Sequence, residues 1–262
     1  MSKFCICYVS DYKYWKHLYV SIKSLREKNK EISIYVFHKD FSEKLLIKFK
    51  NFKLNLKFMK IKPKHLRAIK NKRSIMYFRY FIPQYLKNYK KILYIDLDTI
   101  IKGNLKNIFK IKLNKFPIAV VKEPLPPKKN LFHNLKDYKY RFNTGVILFN
   151  VKAWNKSNLL KKFINLSNKN HLKDSTDQPV MNSLLYKKVK LIDKKWNYLD
   201  SYEFTDLNKA KIIHFNRHKP WLIKHKSQFK SQYNKYRKEI DNIIIPDDFN
   251  IYSLLQLLKK KI

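Results

Sequence analysis

The chain has 262 residues, 45% of them hydrophobic, which suits one large domain or one domain with an appendage and excludes a chain that is disordered throughout. Its formal net charge is +40, from 59 Lys and Arg against 19 Asp and Glu, so nucleic acid, an anionic membrane face or a phosphorylated substrate are all conceivable partners. Only seven of the basic residues are Arg, the residue that base and phosphate recognition favours. We therefore interpret most of the charge as a solvated surface and expect no nucleic-acid partner.

The predicted elements alternate between strands and helices along the chain. The strands are residues 4–9, 32–37, 56–61, 91–95, 118–121, 146–150, 189–192 and 211–215. The helices are residues 14–28, 42–51 with Ser42 as the N-cap, 74–87 with an interruption near Pro83, 153–167 and 178–186. This alternation predicts an α/β fold with a mainly parallel sheet and helices on both faces. Ligands of such sheets bind beyond the carboxyl ends of the strands.

The chain has only two glycines, Gly103 and Gly145. A Walker loop and the dinucleotide-binding fingerprint each need several glycines within a few residues, so both are excluded. A nucleotide, if one binds, must therefore be bound by a different kind of motif.

The character of the sequence changes after Trp221, and we predict a main domain over residues 1–221 with a basic helical C-terminal appendage over 222–262. The last residues place four leucines on one side of a short helix, followed by three lysines at 259–261. This pattern fits a helix packed on the main domain and fits a peripheral contact with an anionic membrane equally well. No apolar run is long enough to span a membrane and the N-terminus lacks a secretory signal, so we expect a cytoplasmic location, with attachment to the inner membrane face as an extension of it.

Two of the few acids, Asp96 and Asp98, follow the strongest predicted strand. Residues two apart on extended backbone face the same side, while Leu97 between them points into the fold. Adjacent carboxylates repel each other, and a shared divalent cation relieves that repulsion. Helix-capping or solvated turn acids would explain the pair equally well.

A short predicted strand places His214 ahead of Lys219 and Pro220. A neutral imidazole suits Mn²⁺ as a third ligand, and Lys is a compact partner for a diphosphate. A purely structural histidine is the alternative at this position.

Two further segments combine polar residues with the start of an element. Gly145 follows Asn143 and opens a strand, which marks either a close approach of ligand or backbone, or a simple turn. Asp177 and Gln178 open a helix, where Asp177 either caps the helix or joins Gln178 in binding sugar hydroxyls.

The order and spacing of these segments resemble glycosyltransferase family 8, which includes glycogenin and the bacterial lipopolysaccharide galactosyl- and glucosyltransferases. The matching segments are ILYIDLDT, FNTGVILFN, DQPVMN and HFNRHKPW. Asp11 after the first strand and the helix at residues 77–80 resemble two further parts of the family pattern. The resemblance covers about residues 3–221.

The resemblance implies a nucleotide-diphospho-sugar transferase fold of the GT-A type. It also implies a retaining, metal-dependent transfer of a hexose, galactose or glucose, from a UDP-sugar to a saccharide or lipid-linked oligosaccharide acceptor. Lipopolysaccharide, lipooligosaccharide or another surface glycan would be the product. It assigns a divalent metal, usually Mn²⁺ with Mg²⁺ as the alternative, to Asp96, Asp98 and His214.

The same resemblance implies roles for single residues. The implied UDP-sugar site consists of Asp11, Arg79, Asp96, Leu97, Asp98, Asn143, Gly145, Asp177, Gln178 and Lys219. Within it, Asp11 contacts the uracil or its ribose and Lys219 the diphosphate, while Asp177 and Gln178 act at the reacting centre. We favour a same-face mechanism, in which the departing phosphate assists the acceptor hydroxyl and Gln178 positions the sugar.

Two departures from the family pattern keep alternatives open. Pro179 replaces a second Asp of the pattern, and Arg217 lies near the place of its usual Gly. A catalytically degenerate member that binds a sugar nucleotide without turnover is therefore the second hypothesis. A basic nucleic-acid-binding protein is the third and least favoured.

Overall fold

Two β-sheets organise the fold. In this computed structural model, the described residues are 3–71, 74–124, 141–169, 176–200, 207–216, 219–222 and 229–243. The strands within them are β1 (Phe4–Ser10), β2 (Ile34–His38), β3 (Leu56–Lys60), β4 (Lys91–Ile95), β5 (Thr99–Ile101), β6 (Ile118–Val121), β7 (Val146–Asn150), β8 (Lys190–Ile192), β9 (Tyr198–Leu199) and β10 (Ile212–His214).

The larger sheet has seven strands in the order β3-β2-β1-β4-β7-β6-β8. Four of its pairings are parallel, and β7 alone runs against its neighbours β4 and β6. The prediction of a mainly parallel sheet is thereby confirmed, although the reversed direction of β7 was not predicted. Because β7 is reversed, its first residues lie beside the carboxyl end of β4, with Val146 opposite Ile95.

The smaller sheet has the order β5-β10-β9. Strand β10 pairs antiparallel with β5, which places His214 opposite Thr99, and parallel with β9, which places it beside Leu199. Strands β5 and β9, which are three and two residues long, were not predicted. The register of β5 and β10 brings His214 next to the acids that follow β4.

Helices cover both faces of the larger sheet. They are α1 (Trp15–Lys28), α2 (Glu43–Asn51), α3 (Pro63–Arg67), α4 (Ser74–Tyr77), α5 (Ile82–Tyr85), α6 (Val151–Lys156), α7 (Leu159–Ser167), α8 (Asp177–Leu185) and α9 (Lys230–Arg237). The predicted cap of α2 is confirmed, since the Ser42 side chain accepts a hydrogen bond from the Leu45 N–H. The predicted single helix over 153–167 is wrong, because Asn158 adopts a left-handed φ of 50° and separates α6 from α7.

The inner strands of the larger sheet are buried on both faces and contribute to two cores, whereas the edge strands β3 and β8 are partly exposed. In β1, Ile6 and Tyr8 belong to the core that α1, α2 and α9 cover, whereas Cys5 and Cys7 belong to the core on the other face of the sheet. Both cysteines are free and buried. This two-sided burial explains why the inner strands read as apolar runs.

The segment before residue 244 packs on the main body of the fold. Tyr233 and Tyr236 of α9, with Ile240 after it, are buried in the same core as α1. The division of the chain at residue 221 stays a prediction, and the leucine-rich and lysine-rich end lies outside the described residues. Within the described ranges, no helix is long and apolar enough to cross a membrane.

Candidate active site

Three potential metal ligands converge at the carboxyl end of β4. Asp96 follows β4, Asp98 immediately precedes β5, and His214 ends β10. Their ligand atoms all lie within 4.8 Å of one another, and His214 Nε2 is 3.4 Å from Asp98 Oδ1. Two carboxylates and one imidazole form a donor set that suits a hard or borderline divalent cation.

Asp98 is the most strongly charge-stabilised acid of this group. Burial would raise its pKa, but the Lys219 ammonium beside it holds the pKa of the carboxyl well below its ordinary value. The Lys219 ammonium donates to Asp98 Oδ2 and, at 3.0 Å, to the Phe215 carbonyl. Burial would lower the pKa of Lys219, and Asp98 raises it. Asp98 therefore stays ionised and Lys219 stays charged at neutral pH.

Arg79 connects Asp96 with Asp177. Its side chain is buried, with Nη2 3.1 Å from Asp96 Oδ1 and Nε 3.2 Å from Asp177 Oδ2. Nη1 donates to the Thr144 carbonyl at 2.6 Å, and the Tyr94 hydroxyl donates to Asp96 Oδ1 at 2.5 Å. Although burial disfavours the guanidinium charge, the two acids raise the pKa of Arg79 above its ordinary value.

Asp177 is buried and shows the opposite behaviour to Asp98. Burial raises its pKa to about 6, because Arg79 offsets only part of the desolvation and Asp96 adds repulsion. Helix α8 begins at Asp177 itself with Thr176 at the N-cap position, so Asp177 lies in the first turn rather than at the cap. Pro179 also lies in this first turn and is buried.

A cavity of about 360 Å³ opens in front of the metal-ligand group. The predicted site residues in its wall are Asp11, Arg79, Asp96, Leu97, Asp98 and Lys219. Asp11 follows β1, and burial together with nearby Asp40 raises its pKa. The predicted residues Asn143, Gly145, Asp177 and Gln178 lie behind the wall. Asp177 pairs with Arg79 of the wall, and Gly145 lies against His214, which faces Asp98 of the wall. The structure thus brings all the predicted site residues into one region.

One side of this cavity is formed by Trp221 and is connected through His17 to α1 and α9. Trp221 lines the cavity and stacks on the His17 ring, with ring centroids 3.7 Å apart. His17 Nδ1 is 2.5 Å from the Tyr233 hydroxyl, and burial lowers the His17 pKa to about 3. A neutral His17 therefore links α1, α9 and the cavity wall.

The Gln178 amide is held at both ends. Its Oε1 accepts hydrogen bonds from Asn143 Nδ2 at 3.1 Å and from the Thr144 N–H at 3.2 Å. Its Nε2 donates to Glu123 Oε2 at 2.8 Å. Glu123 is paired with Arg141 at 2.8 Å, yet burial leaves its pKa raised. Sequence analysis missed Glu123, although it is one of only 19 acids and follows β6 at its carboxyl end.

Gly145 is needed for a close approach to His214. A Cβ at residue 145 would overlap the imidazole ring, while the Gly145 carbonyl accepts from the Asp96 N–H at 2.7 Å. Of the two explanations for this glycine, the structure supports a close approach, and the group that approaches is the candidate metal ligand. Arg217, the other departure from the family pattern, lies outside the described residues.

Comparison with known proteins gives consistent matches. Glycosyl transferase family 8 matches residues 5–225. Glycosyltransferase GlyB of Streptococcus pneumoniae serotype 4 is 30% identical over 252 residues, which cover 86% of this chain and 59% of GlyB. The lipopolysaccharide 1,2-glucosyltransferase of Escherichia coli K12 is 25% identical over 270 residues, covering 93% of this chain and 79% of the enzyme. The chain thus spans only part of the length of GlyB.

Solved structures confirm the predicted GT-A fold. Galactosyltransferase LgtC, solved in complex with donor and acceptor sugar analogues, superposes with a TM-score of 0.74 at 18% sequence identity. The superposition covers 92% of this chain and 98% of LgtC. At this identity the likeness supports the fold.

Proposed function

Since the chain belongs to glycosyltransferase family 8, we propose that it transfers a hexose from a UDP-sugar to a saccharide acceptor with retention of anomeric configuration. The observation that carries this proposal is the group of Asp96, Asp98 and His214, of which the two acids line a cavity together with Lys219. Two carboxylates and an imidazole attract a divalent cation, and that cation together with Lys219 would attract the negative charge of a nucleoside diphosphate.

In this proposal Asp96, Asp98 and His214 hold a divalent cation, Mn²⁺ first and Mg²⁺ as the alternative. The bound cation supplies positive charge that offsets the charge developing on the departing diphosphate. Lys219 adds a second positive charge at the same place, because its ammonium already lies against Asp98. Asp11, at the far side of the same cavity wall, contacts the uridine.

The donor sugar lies towards Arg79 and Gln178. Both lone pairs of Gln178 Oε1 accept hydrogen bonds, so this oxygen is poorly suited to attack the anomeric carbon. The Asp177 carboxylate faces Arg79 in a buried ion pair. These contacts support a same-face mechanism: the bond from the anomeric carbon to the phosphate oxygen breaks, the acceptor oxygen bonds to the same face, and its proton passes to the departing phosphate. Gln178 positions the sugar, and Asp177 holds Arg79.

The names of the relatives guide the choice of substrates. A lipopolysaccharide glucosyltransferase and a galactosyltransferase among the matches favour glucose or galactose as the donor sugar. A lipopolysaccharide, lipooligosaccharide or other surface glycan, free or lipid-linked, is then the proposed acceptor. A net charge of +40 supports contact with the anionic inner face of the cytoplasmic membrane.

A donor panel tests the proposal directly. UDP release is measured with UDP-glucose, UDP-galactose and their N-acetyl forms, with Mn²⁺ or Mg²⁺ and without an acceptor. We expect metal-dependent hydrolysis of UDP-glucose or UDP-galactose that Asp98→Asn abolishes. Metal-dependent UDP binding without hydrolysis of any donor would favour the degenerate sugar-nucleotide-binding protein instead. Thermal stabilisation by an oligonucleotide alone would favour the nucleic-acid-binding alternative.

A further inference from the structure

A continuous chain of hydrogen bonds runs from Glu123 to His214 behind the cavity wall. Gln178 donates to Glu123, Asn143 donates to Gln178, and Asn197 Nδ2 donates to Asn143 Oδ1 at 2.8 Å. At the end of the chain, Asn197 Oδ1 is 3.0 Å from His214 Nδ1. Asn143, Asn197 and His214 are all buried, and Asn197 has no exposed surface. Asn197 belongs to none of the sequence motifs.

Two backbone N–H groups fix the direction of this chain. The Thr144 N–H points at Gln178, so the atom that it meets must be the amide oxygen. The Gly145 N–H, 2.8 Å from Asn143, fixes the oxygen of that amide in the same way. Backbone N–H groups only donate, so neither amide can be flipped without leaving two donors facing each other.

The orientation of Asn197 follows from these two anchors. Its group that faces Asn143 Oδ1 must be the NH₂, which leaves its carbonyl oxygen facing His214 Nδ1. A carbonyl oxygen can only accept, so His214 Nδ1 must carry a hydrogen. In the neutral ring Nε2 is then the unprotonated nitrogen, and Nε2 is the atom that faces Asp98 at 3.4 Å.

We propose that Asn197 is a positioning residue that holds His214 in its Nδ1–H tautomer and leaves Nε2 ready as a metal ligand. The inference rests on the proposed function, because it takes His214 as a ligand of the divalent cation. Through Asn143, the same chain fixes the Gln178 amide that positions the sugar. One hydrogen-bonded unit therefore sets both the metal ligand and the sugar-binding amide.

Nuclear magnetic resonance of the metal-free full chain tests the tautomer without measuring activity. The side-chain ¹⁵N shifts of the eight histidines are recorded at alkaline pH, where imidazole rings are neutral, and His214→Gln identifies the His214 signals. We expect the wild-type His214 to show a protonated Nδ1 and an unprotonated Nε2. A wild-type spectrum of the Nε2–H tautomer would overturn the proposal, whatever the variants do.

Two substitutions at residue 197 separate positioning from packing. Asn197→Asp keeps an acceptor for His214 Nδ1 and should keep the Nδ1–H tautomer, whereas Asn197→Ala should release the ring into a mixture of tautomers. Asn197→Ala should also weaken Mn²⁺ binding about 10- to 100-fold, the effect of losing an outer-shell partner. The matched control is Asn29→Ala, which removes another buried asparagine far from the site and should leave the His214 signals unchanged. Unchanged His214 signals in Asn197→Ala would contradict the proposal.

The same spectra distinguish this inference from the proposed function. Mn²⁺ broadens signals close to it, so a wild-type His214 ring in the Nδ1–H tautomer that Mn²⁺ leaves sharp would support the inference and refute the metal site. A ring that Mn²⁺ broadens but that carries its hydrogen on Nε2 would refute the inference and leave the metal site standing.

Discussion

Two polar clusters with the same residue types lie in different parts of this molecule. Each combines an arginine, a buried asparagine and one of the two glycines. The structural cluster, Arg26, Asn29 and Gly103, lies at the amino ends of β2 and β3, whereas the site cluster, Arg79, Asn143 and Gly145, lies at the carboxyl end of β4.

The two clusters differ in what their side chains meet. Arg26 donates five hydrogen bonds, and all five go to backbone carbonyls of residues 29, 30, 32, 54 and 55. Arg79 donates to the carbonyls of Met76 and Thr144, but it also meets the carboxylates of Asp96 and Asp177. A charge held by carbonyls fixes loops and responds little to pH or ligands. A charge held by acids next to a cavity responds to anything that binds those acids.

The largest expected effect is that of Arg79→Met, which leaves two buried acids without their counter-charge. Breaking a buried pair by removing one partner costs about 3–5 kcal/mol of unfolding free energy. We also expect kcat/KM to fall by more than about 100-fold, since Arg79 holds both halves of the site. Urea unfolding and UDP release measure the two effects. If the unfolding free energy of Arg79→Met stayed within about 1 kcal/mol of wild type, the ion pairs of Arg79 would stabilise the fold no more than those of a surface residue.

The next prediction compares the two glycines, because Gly145 lies against the rigid ring of His214 and Gly103 against the flexible side chain of Lys211. Gly145→Ala must displace the His214 ring, so Mn²⁺ affinity should fall about 10- to 100-fold. Gly103→Ala meets only the flexible end of Lys211 and should leave Mn²⁺ affinity within about twofold of wild type. Calorimetric titration with Mn²⁺ compares the two. Equal losses in both variants would mean that the approach to His214 is not what Gly145 provides.

Replacing Arg26 should lower the stability of the fold without lowering the activity. Arg26→Met leaves several loop carbonyls without their donor, and we expect a loss of about 2–3 kcal/mol in unfolding free energy. At temperatures where the variant is folded, kcat/KM should stay within about twofold of wild type, because none of the five residues that accept hydrogen bonds from Arg26 is among the described residues lining the cavity. A loss of activity in a variant that circular dichroism shows to be folded would contradict the division between the clusters.

The smallest expected effect is a pH dependence confined to the site cluster. The pKa of Asp177 is about 6 in the folded chain against an ordinary 3.8, so the folded state binds this proton more tightly than the unfolded state does. Its contribution to stability is therefore full below about pH 4 and is lost as pH rises through about 6. Asp177→Asn has no carboxyl to titrate at this position. The unfolding free energy of this variant relative to that of wild type should therefore rise by about 2 kcal/mol between pH 4 and 6.5. Arg26→Met serves as the control.

The two variants of that experiment should respond differently to pH. The difference between Arg26→Met and wild type should not change with pH, because the donors of Arg26 meet carbonyls that do not titrate in this range. If the difference between Asp177→Asn and wild type is equally flat, burial does not raise the pKa of Asp177 and the contrast between the clusters fails.

Much of the fold could be predicted from sequence because the inner strands are buried on both faces. Apolar patterns located all seven strands of the larger sheet, including the partly exposed edge strands β3 and β8. The direction of β7 could not be predicted, since hydrophobic pattern carries no strand direction. The break at Asn158 was missed because the apolar spacing of α6 and α7 resembles that of one helix, and a left-handed residue leaves no signal in that spacing.

The candidate site was predictable where a residue type is rare or ends a strand. Asp96 and Asp98 met both conditions, and Glu123 met them too, although it belongs to none of the segments singled out in the sequence. Asn197 could not be found in this way, because an asparagine among aromatic residues has no distinctive spacing. Its importance depends on the tertiary packing that brings it between Asn143 and His214.

The central claim is that Asp96, Asp98 and His214 hold the cation through which this chain binds a UDP-sugar. Calorimetric titration with UDP, with and without Mn²⁺, tests that claim most directly in the wild-type chain and in Asp98→Asn. We expect wild type to bind UDP tightly only when Mn²⁺ is present, and Asp98→Asn to bind it equally weakly in both conditions. If Asp98→Asn kept the full Mn²⁺ dependence of UDP binding, the metal site would lie elsewhere and the assignment of these three ligands would be wrong.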